Sequence, residues 1–221
     1  MALLPSFIAF TGVDDPQLLD RMQALSARYP VEWGILVDDA QTDARLFPDA
    51  TQRAALLSRG GLRWAAHICG EQARLIANDP DGATVDVTGF QRVQVNHSFS
   101  GSASAQVDCT VRFGRAHGVR TMLQCSSDFP ADARLDWLFD TSFGTGVAAT
   151  YWPALPPGGP FCGYSGGIKP DNARSVVTAI GASIDASIDR GQYWIDMESG
   201  VRTDGCFDLA KCEAVCRAVY G

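Results

Sequence analysis

Short apolar runs rich in β-forming residues recur eight times along this chain, and each is followed by a helical or loop segment. The runs are bounded by Gly, Asp and Ser, which is typical of strands buried on both faces of a parallel sheet. They cover residues 7–10, 31–37, 62–69, 93–96, 121–125, 135–140, 161–165 and 193–197. Alternation of strand and helix over the whole length therefore predicts a parallel α/β sheet.

The segments between these runs predict helices and two loops. Asp15 and Pro16 form a favourable N-cap and first-turn pair, and apolar residues follow at helical spacing from Leu18 to Leu25. Further helical patterns cover residues 52–58, 71–78, 105–116, 171–180 and 208–219. The connections 79–88 and 144–159 are rich in turn residues and are predicted to be loops.

Eight strand–helix units within 221 residues favour closure into a (β/α)₈ TIM barrel. The alternative is an open, doubly wound sheet. No linker, repeat or low-complexity run divides the chain, so we expect a single barrel domain spanning residues 1–221.

Charge and cysteine content restrict the partners that we expect. A net charge of -7 makes a nucleic-acid partner unexpected, whereas a small phosphorylated ligand can still bind a local group of backbone amides. No apolar run is long enough to cross a membrane, and the N-terminus lacks the basic start of a signal peptide. Seven scattered cysteines suggest reduced thiols and a cytoplasmic protein.

The strongest functional motif lies after the last two predicted strands. Gly166 and Gly167 follow strand seven just before a predicted helix, and Ser199 and Gly200 follow strand eight. Backbone amides that converge at helix starts bind anions, and barrels hold phosphate at these two loops. The alternative is that the glycines only allow tight strand exits. Together the two motifs predict a phosphate site made by these four residues.

The last quarter of the chain resembles a known enzyme family. Two stretches are similar to phosphoribosylanthranilate isomerase: SGGIKPDNARSVVTAI and YWIDMESGVRTDGCFDLAKCEAVCRAV. More faintly, RVQVNHS is similar to that family's strand four, and LFDTSFGTGVAATYW to its strand six and the following loop. The resemblance implies a barrel enzyme of tryptophan biosynthesis. It would convert an aminoaldose phosphate to an aminoketose by an Amadori rearrangement, with no metal or cofactor.

The resemblance also implies roles for single residues. Asp140 matches the family's general acid on strand six; the alternative is that it caps the following turn. Thr11 stands where the family has its general-base cysteine, and a threonine hydroxyl cannot act as a base near neutral pH without an activator. This departure leaves two alternatives to the isomerase open. One is a sugar-phosphate epimerase or aldolase, and the other is a non-catalytic protein that binds a phosphorylated ligand.

Other polar residues are weaker candidates. His97 lies close to a family histidine and is expected to contact the ligand, although it is also an alternative base. Arg45 lies in the loop where the family has an arginine that binds the anthranilate carboxylate. His67 is expected inside the barrel, and Cys69 is a less favoured base. The sequence leaves open whether the protein is a monomer or a homodimer.

Overall fold

Eight parallel strands close into a barrel in chain order, which confirms the predicted (β/α)₈ fold. The computed structural model describes residues 3–38, 40–41, 46–98, 101–142, 145–184 and 192–221. The strands are β1 Phe7–Thr11, β2 Val31–Val37, β3 Trp64–Ile68, β4 Arg92–Val95, β5 Arg120–Cys125, β6 Asp136–Phe139, β7 Cys162–Tyr164 and β8 Tyr193–Met197. Pairing of β8 with β1 completes the ring.

Six α-helices in the described part of the chain surround the barrel. They are α1 Leu19–Ser26, α2 Ala50–Leu57, α3 Gly70–Asn78, α4 Ser104–His117, α5 Ala173–Ser183 and α6 Leu209–Tyr220. Two short strands, β9 Arg202–Thr203 and β10 Cys206–Phe207, form a hairpin before α6. The described residues between β5 and β7 contain no helix in either connection, in agreement with the loop predicted there.

Local side-chain chemistry fixes several helix starts. Asp49 and Gln52 form a capping box in which each side chain accepts a hydrogen bond from the other's backbone amide at the start of α2. Asp208 caps α6 by accepting from the amides of Ala210 and Lys211. These caps fix the residues at which α2 and α6 begin.

Alternation along each strand separates two layers of side chains. One set faces the helices and forms the main core, as Ile8 and Phe10 do on β1. The other set points into the barrel, where Ala9, Leu138 and Trp194 belong to a separate apolar cluster. Side chains that face the barrel interior therefore occur at every second position of a strand, up to its carboxyl end.

A buried ionic network lies at the amino end of the barrel interior. The Arg92 guanidinium lies 2.6 Å from a carboxylate oxygen of Glu32 and 3.1 Å from one of Asp136. It also stacks over the Trp194 ring at 4.2 Å from the centroid. Because this end is filled and paired, the open end of the barrel is the carboxyl end.

Candidate active site at the carboxyl end of the barrel

A cavity of about 770 Å³ opens at the carboxyl ends of the strands. Its volume is within the range of small-molecule sites. Its walls include interior-facing polar side chains from most of the strands, among them Thr11, His67, Gln94, Asp140, Ser165 and Asp196. In barrel enzymes this end carries the chemistry, so this cavity is the candidate active site.

Three buried polar groups meet where β1, β3 and β8 end. The Thr11 hydroxyl donates to an Asp196 carboxylate oxygen at 3.1 Å and lies 3.2 Å from His67 Nε2. His67 Nε2 lies 3.9 Å from the second oxygen of Asp196. Gly34 on β2 leaves the room for this cluster, because a Cβ there would lie 2.6 Å from the Thr11 hydroxyl oxygen.

Burial acts on the two titratable members of this cluster in opposite ways. It lowers the pKa of His67 to about 3, with a further lowering from the nearby Arg92 charge, so the imidazole is neutral. It raises the pKa of Asp196 well above its ordinary value, while the hydrogen bond from Thr11 acts against this rise. Proton exchange at Asp196 is thereby moved toward the physiological range.

Asp140 lies at the end of β6 and its carboxylate lines the cavity. One carboxylate oxygen accepts from the Ser142 amide at 2.8 Å and from the Ser142 hydroxyl at 2.9 Å. The other accepts from the Gln124 side-chain amide at 3.1 Å. Asp140 thus caps its turn, as the alternative interpretation held, and also faces the cavity, as the acid interpretation requires.

The predicted phosphate loops lie side by side. Gly166 and Gly167 have φ of 115° and 63°, a left-handed backbone that favours glycine. Both residues and Ser199 line the cavity, and neither glycine amide donates to another described residue. The loop after β6 lies over them, since a Cβ on Gly167 would come 2.6 Å from the Ala148 backbone.

Gly200 is not among the residues that line the cavity. A Cβ on this residue would overlap the Ile168 carbonyl oxygen, so the glycine allows the loops after β7 and β8 to touch. Gly200 therefore allows the contact between the two loops, and its part in phosphate binding stays a prediction.

The weaker candidates have different placements. His97 lines the cavity and its Nε2 lies 2.7 Å from the Ser102 hydroxyl. Arg45 lies outside the described residues, so its predicted contact stays a prediction. Cys69 lines the cavity, but burial raises the pKa of its thiol to about 11, which makes it a poor base at neutral pH.

Sequence reasoning assigned no role to three residues of this cavity. Gln94 is buried, lines the cavity, and its side-chain oxygen has no hydrogen-bond partner within the described ranges. Glu198 also lines it, and burial raises the pKa of its carboxyl while the Arg202 charge lowers it. Asp196 was visible at the end of strand eight. Counting in steps of two from Trp194 would have placed it inside the barrel.

The described residues lack both a cluster of metal ligands and a membrane-spanning helix. No group of three or more metal-ligating side chains is placed to hold an ion within them. No helix among them has the length and apolar character needed to cross a bilayer.

Fold and cavity together define a (β/α)₈ barrel protein with a polar site at the carboxyl end of its strands. Among solved structures, the chain is similar to N-(5'-phosphoribosyl)anthranilate isomerase from Pyrococcus furiosus, with a TM-score of 0.58 and 13% sequence identity. The match covers 96% of this chain and 98% of that one. At this identity the likeness shows the shared barrel fold alone. No family model and no curated protein matches the sequence.

Proposed function

We propose that this barrel isomerises a phosphorylated, N-linked aldose to the ketose by an Amadori rearrangement, with phosphoribosylanthranilate as the substrate. One observation carries the proposal. The glycine amides after β7 and the Asp140 carboxylate face the same cavity, with Ser199 beside the amides. Such an arrangement can hold a phosphate at one side and present an acid to the sugar at the other.

The phosphate would bind to the loops after β7 and β8. The Gly166 and Gly167 amides make no bond to other described residues, so they are available to an anion, and the Ser199 hydroxyl adds a donor. In barrels these two loops are the usual place of phosphate. The likeness to an enzyme named for a phosphoribosyl substrate is consistent with this assignment.

Asp140 would give its proton to the ring oxygen of the sugar. Protonation lets the bond between C1 and the ring oxygen break, while the amine nitrogen forms a double bond to C1. The hydrogen bonds from Gln124 and Ser142 fix the Asp140 carboxyl toward the cavity. Gln94, whose oxygen lacks a partner among the described residues, is placed to accept from a sugar hydroxyl.

Growth of a tryptophan auxotroph that lacks the isomerase tests the proposal. The wild-type gene should restore growth without tryptophan, and Asp140→Asn, expressed at the same level, should not. Absence of growth with well-expressed, folded wild-type protein would contradict the proposal.

Thr11 favours a second candidate if that test fails. The residue stands where the family's base cysteine is expected, so a phosphate-binding barrel without isomerase activity would be an epimerase, an aldolase or a binding protein. If the wild type turns over a sugar phosphate and Asp140→Asn does not, the barrel is an enzyme. If neither protein turns over sugar phosphates and Asp140→Asn still binds phosphate, the barrel is a binding protein.

A further inference from the structure

The missing base cysteine raises the question of which group takes a proton on the β1 side of the cavity. Thr11 itself donates its hydroxyl hydrogen to Asp196 at 3.1 Å. The carboxylate of Asp196 therefore lies one hydrogen bond from the position where the base is expected. It also lines the cavity.

We propose that Asp196 is the general base of the isomerisation and removes the proton from C2 of the sugar. This assignment rests on the function proposed above. Thr11 is then a positioning residue that holds the carboxylate through its hydroxyl. Gly34 makes the arrangement possible, since a Cβ there would collide with the Thr11 hydroxyl.

The proton and electron balance is complete with two carboxyl groups. Asp140 protonates the ring oxygen, and the bond between C1 and that oxygen breaks as nitrogen and C1 form an iminium ion. Asp196 then takes the C2 proton, the C–H electron pair forms the C1–C2 double bond, and the iminium pair returns to nitrogen. The enolamine becomes the ketose when the C2 hydroxyl loses its proton and C1 gains one. A proton passes through solvent from Asp196 back to Asp140.

The surroundings of Asp196 make its carboxylate a stronger base than an exposed aspartate. Burial is the largest cause of its raised pKa. Three further carboxylates raise that pKa through space: Glu32 on β2, Asp140 after β6 and Glu198 after β8. Thr11 on β1 opposes the rise by donating, and His67 on β3 is neutral because its pKa is about 3. A base tuned upward in this way suits proton abstraction near neutral pH.

The neighbouring alternatives are weaker bases at that position. His67 has a pKa of about 3, so its imidazole has little affinity for a proton. The Cys69 thiol has a pKa of about 11, so the thiolate is scarce at neutral pH. Glu198 is the remaining carboxylate with a raised pKa on the cavity wall, and the test includes it.

Steady-state kinetics on phosphoribosylanthranilate separate these possibilities. Asp196→Asn should lower kcat by about a hundredfold or more. It should still bind inorganic phosphate, and its thermal unfolding should stay cooperative. Asp86→Asn, at an exposed position, is the surface control and should match the wild type. The activity of the wild type should rise with pH as Asp196 ionises.

Thr11→Val provides a second readout that does not depend on the folding of the Asp196 variant. Loss of the donated hydrogen bond raises the pKa of Asp196 further, so the acid limb of the pH–rate profile should move to higher pH. An unmoved limb would overturn the assignment.

Other outcomes also contradict it. Asp196→Asn activity within about tenfold of wild type, or a larger loss in Glu198→Gln, would show that another group takes the proton. If the pH–rate profile of Asp196→Asn no longer declines at high pH, Asp196 donates a proton and does not accept one. If the wild type itself does not convert the substrate, the proposed function fails and this assignment falls with it. The wild-type measurement therefore separates that failure from failure of the base alone.

Discussion

His67 is an imidazole that stays neutral inside the barrel, since its pKa is about 3 through burial and the nearby Arg92 charge. In the unfolded chain a histidine titrates near its ordinary pKa of about 6.5. Between these values the unfolded chain binds a proton that the folded protein does not. The free energy of unfolding therefore contains a part that decreases as the pH falls from about 6.5 toward 3.

We expect His67→Gln to remove that part, because glutamine does not titrate. Urea unfolding of both proteins between about pH 4 and pH 7 measures this. The free energy of unfolding of the variant should rise relative to that of the wild type as the pH falls. The gain should reach up to about 1.4 kcal/mol per pH unit. Equal pH slopes for the two proteins would contradict a neutral His67.

Single residues of the site differ in how far the sequence could place them. Thr11 and Asp140 follow from the family resemblance and the glycines after β7 follow from a motif, and all of them line one cavity. Asp196 could be located at the end of strand eight, but its proposed role could not be predicted. That role depends on the hydrogen bond from Thr11, which is 185 positions away in sequence. Closure of β8 onto β1 creates this contact, and no local pattern encodes it.

The strands and helices were largely predictable from periodicity. Strands β2 and β8 have the predicted bounds, while β3 is shorter than residues 62–69 because Leu62 lies outside the ladder. The hairpin of β9 and β10 was missed, since strands of two residues carry no alternation to detect. Pro153, Pro156 and Pro157 lack a backbone donor, which explains the absence of a helix in the described residues of their connection.

At the scale of elements, the proposed phosphate site requires that the loops after β7 and β8 touch. Gly200→Ala should push the loops apart, because the new Cβ overlaps the Ile168 carbonyl oxygen. We expect inorganic phosphate to bind about tenfold more weakly, which calorimetric titration can measure. Gly60→Ala is the matched control, since nothing lies within 4 Å of its added Cβ. Unchanged affinity in Gly200→Ala would place the anion elsewhere.

At the scale of the whole molecule, the amino and carboxyl ends of the barrel interior have different electrostatic environments. The amino end holds a paired network, in which Arg92 neutralises Glu32 and Asp136. The carboxyl end holds carboxylates whose pKa values are raised by burial, namely those of Asp196 and Glu198. Stability should therefore depend on the first group, whereas activity should depend on the second and cost some stability.

Arg92→Met tests the stabilising end. The change leaves two buried carboxylates without their shared partner, and breaking such a pair costs about 3–5 kcal/mol. Glu32 keeps Arg63 at 2.9 Å and Asp136 keeps Arg120 at 2.8 Å, so we expect a loss near the lower value. Urea unfolding at neutral pH measures it. A loss below about 1 kcal/mol would show that the network contributes little.

Asp196→Asn tests the opposite end by its effect on stability. A carboxyl group with a raised folded-state pKa favours the folded protein less as the pH rises, because ionisation is easier in the unfolded chain. The variant should therefore unfold at a higher urea concentration than the wild type at neutral pH. This advantage should shrink as the pH falls toward about 4. A variant that is less stable than the wild type at neutral pH would contradict a raised folded-state pKa of Asp196.

Conversion of phosphoribosylanthranilate by the purified wild-type protein tests the central claim most directly. With ¹³C at C2 of the sugar, NMR distinguishes the alcohol carbon of the aldose from the carbonyl carbon of the ketose. We predict that a carbonyl signal appears with the wild type and does not appear with Asp140→Asn. A substrate that stays an aldose in the presence of folded, phosphate-binding wild-type protein would contradict the account.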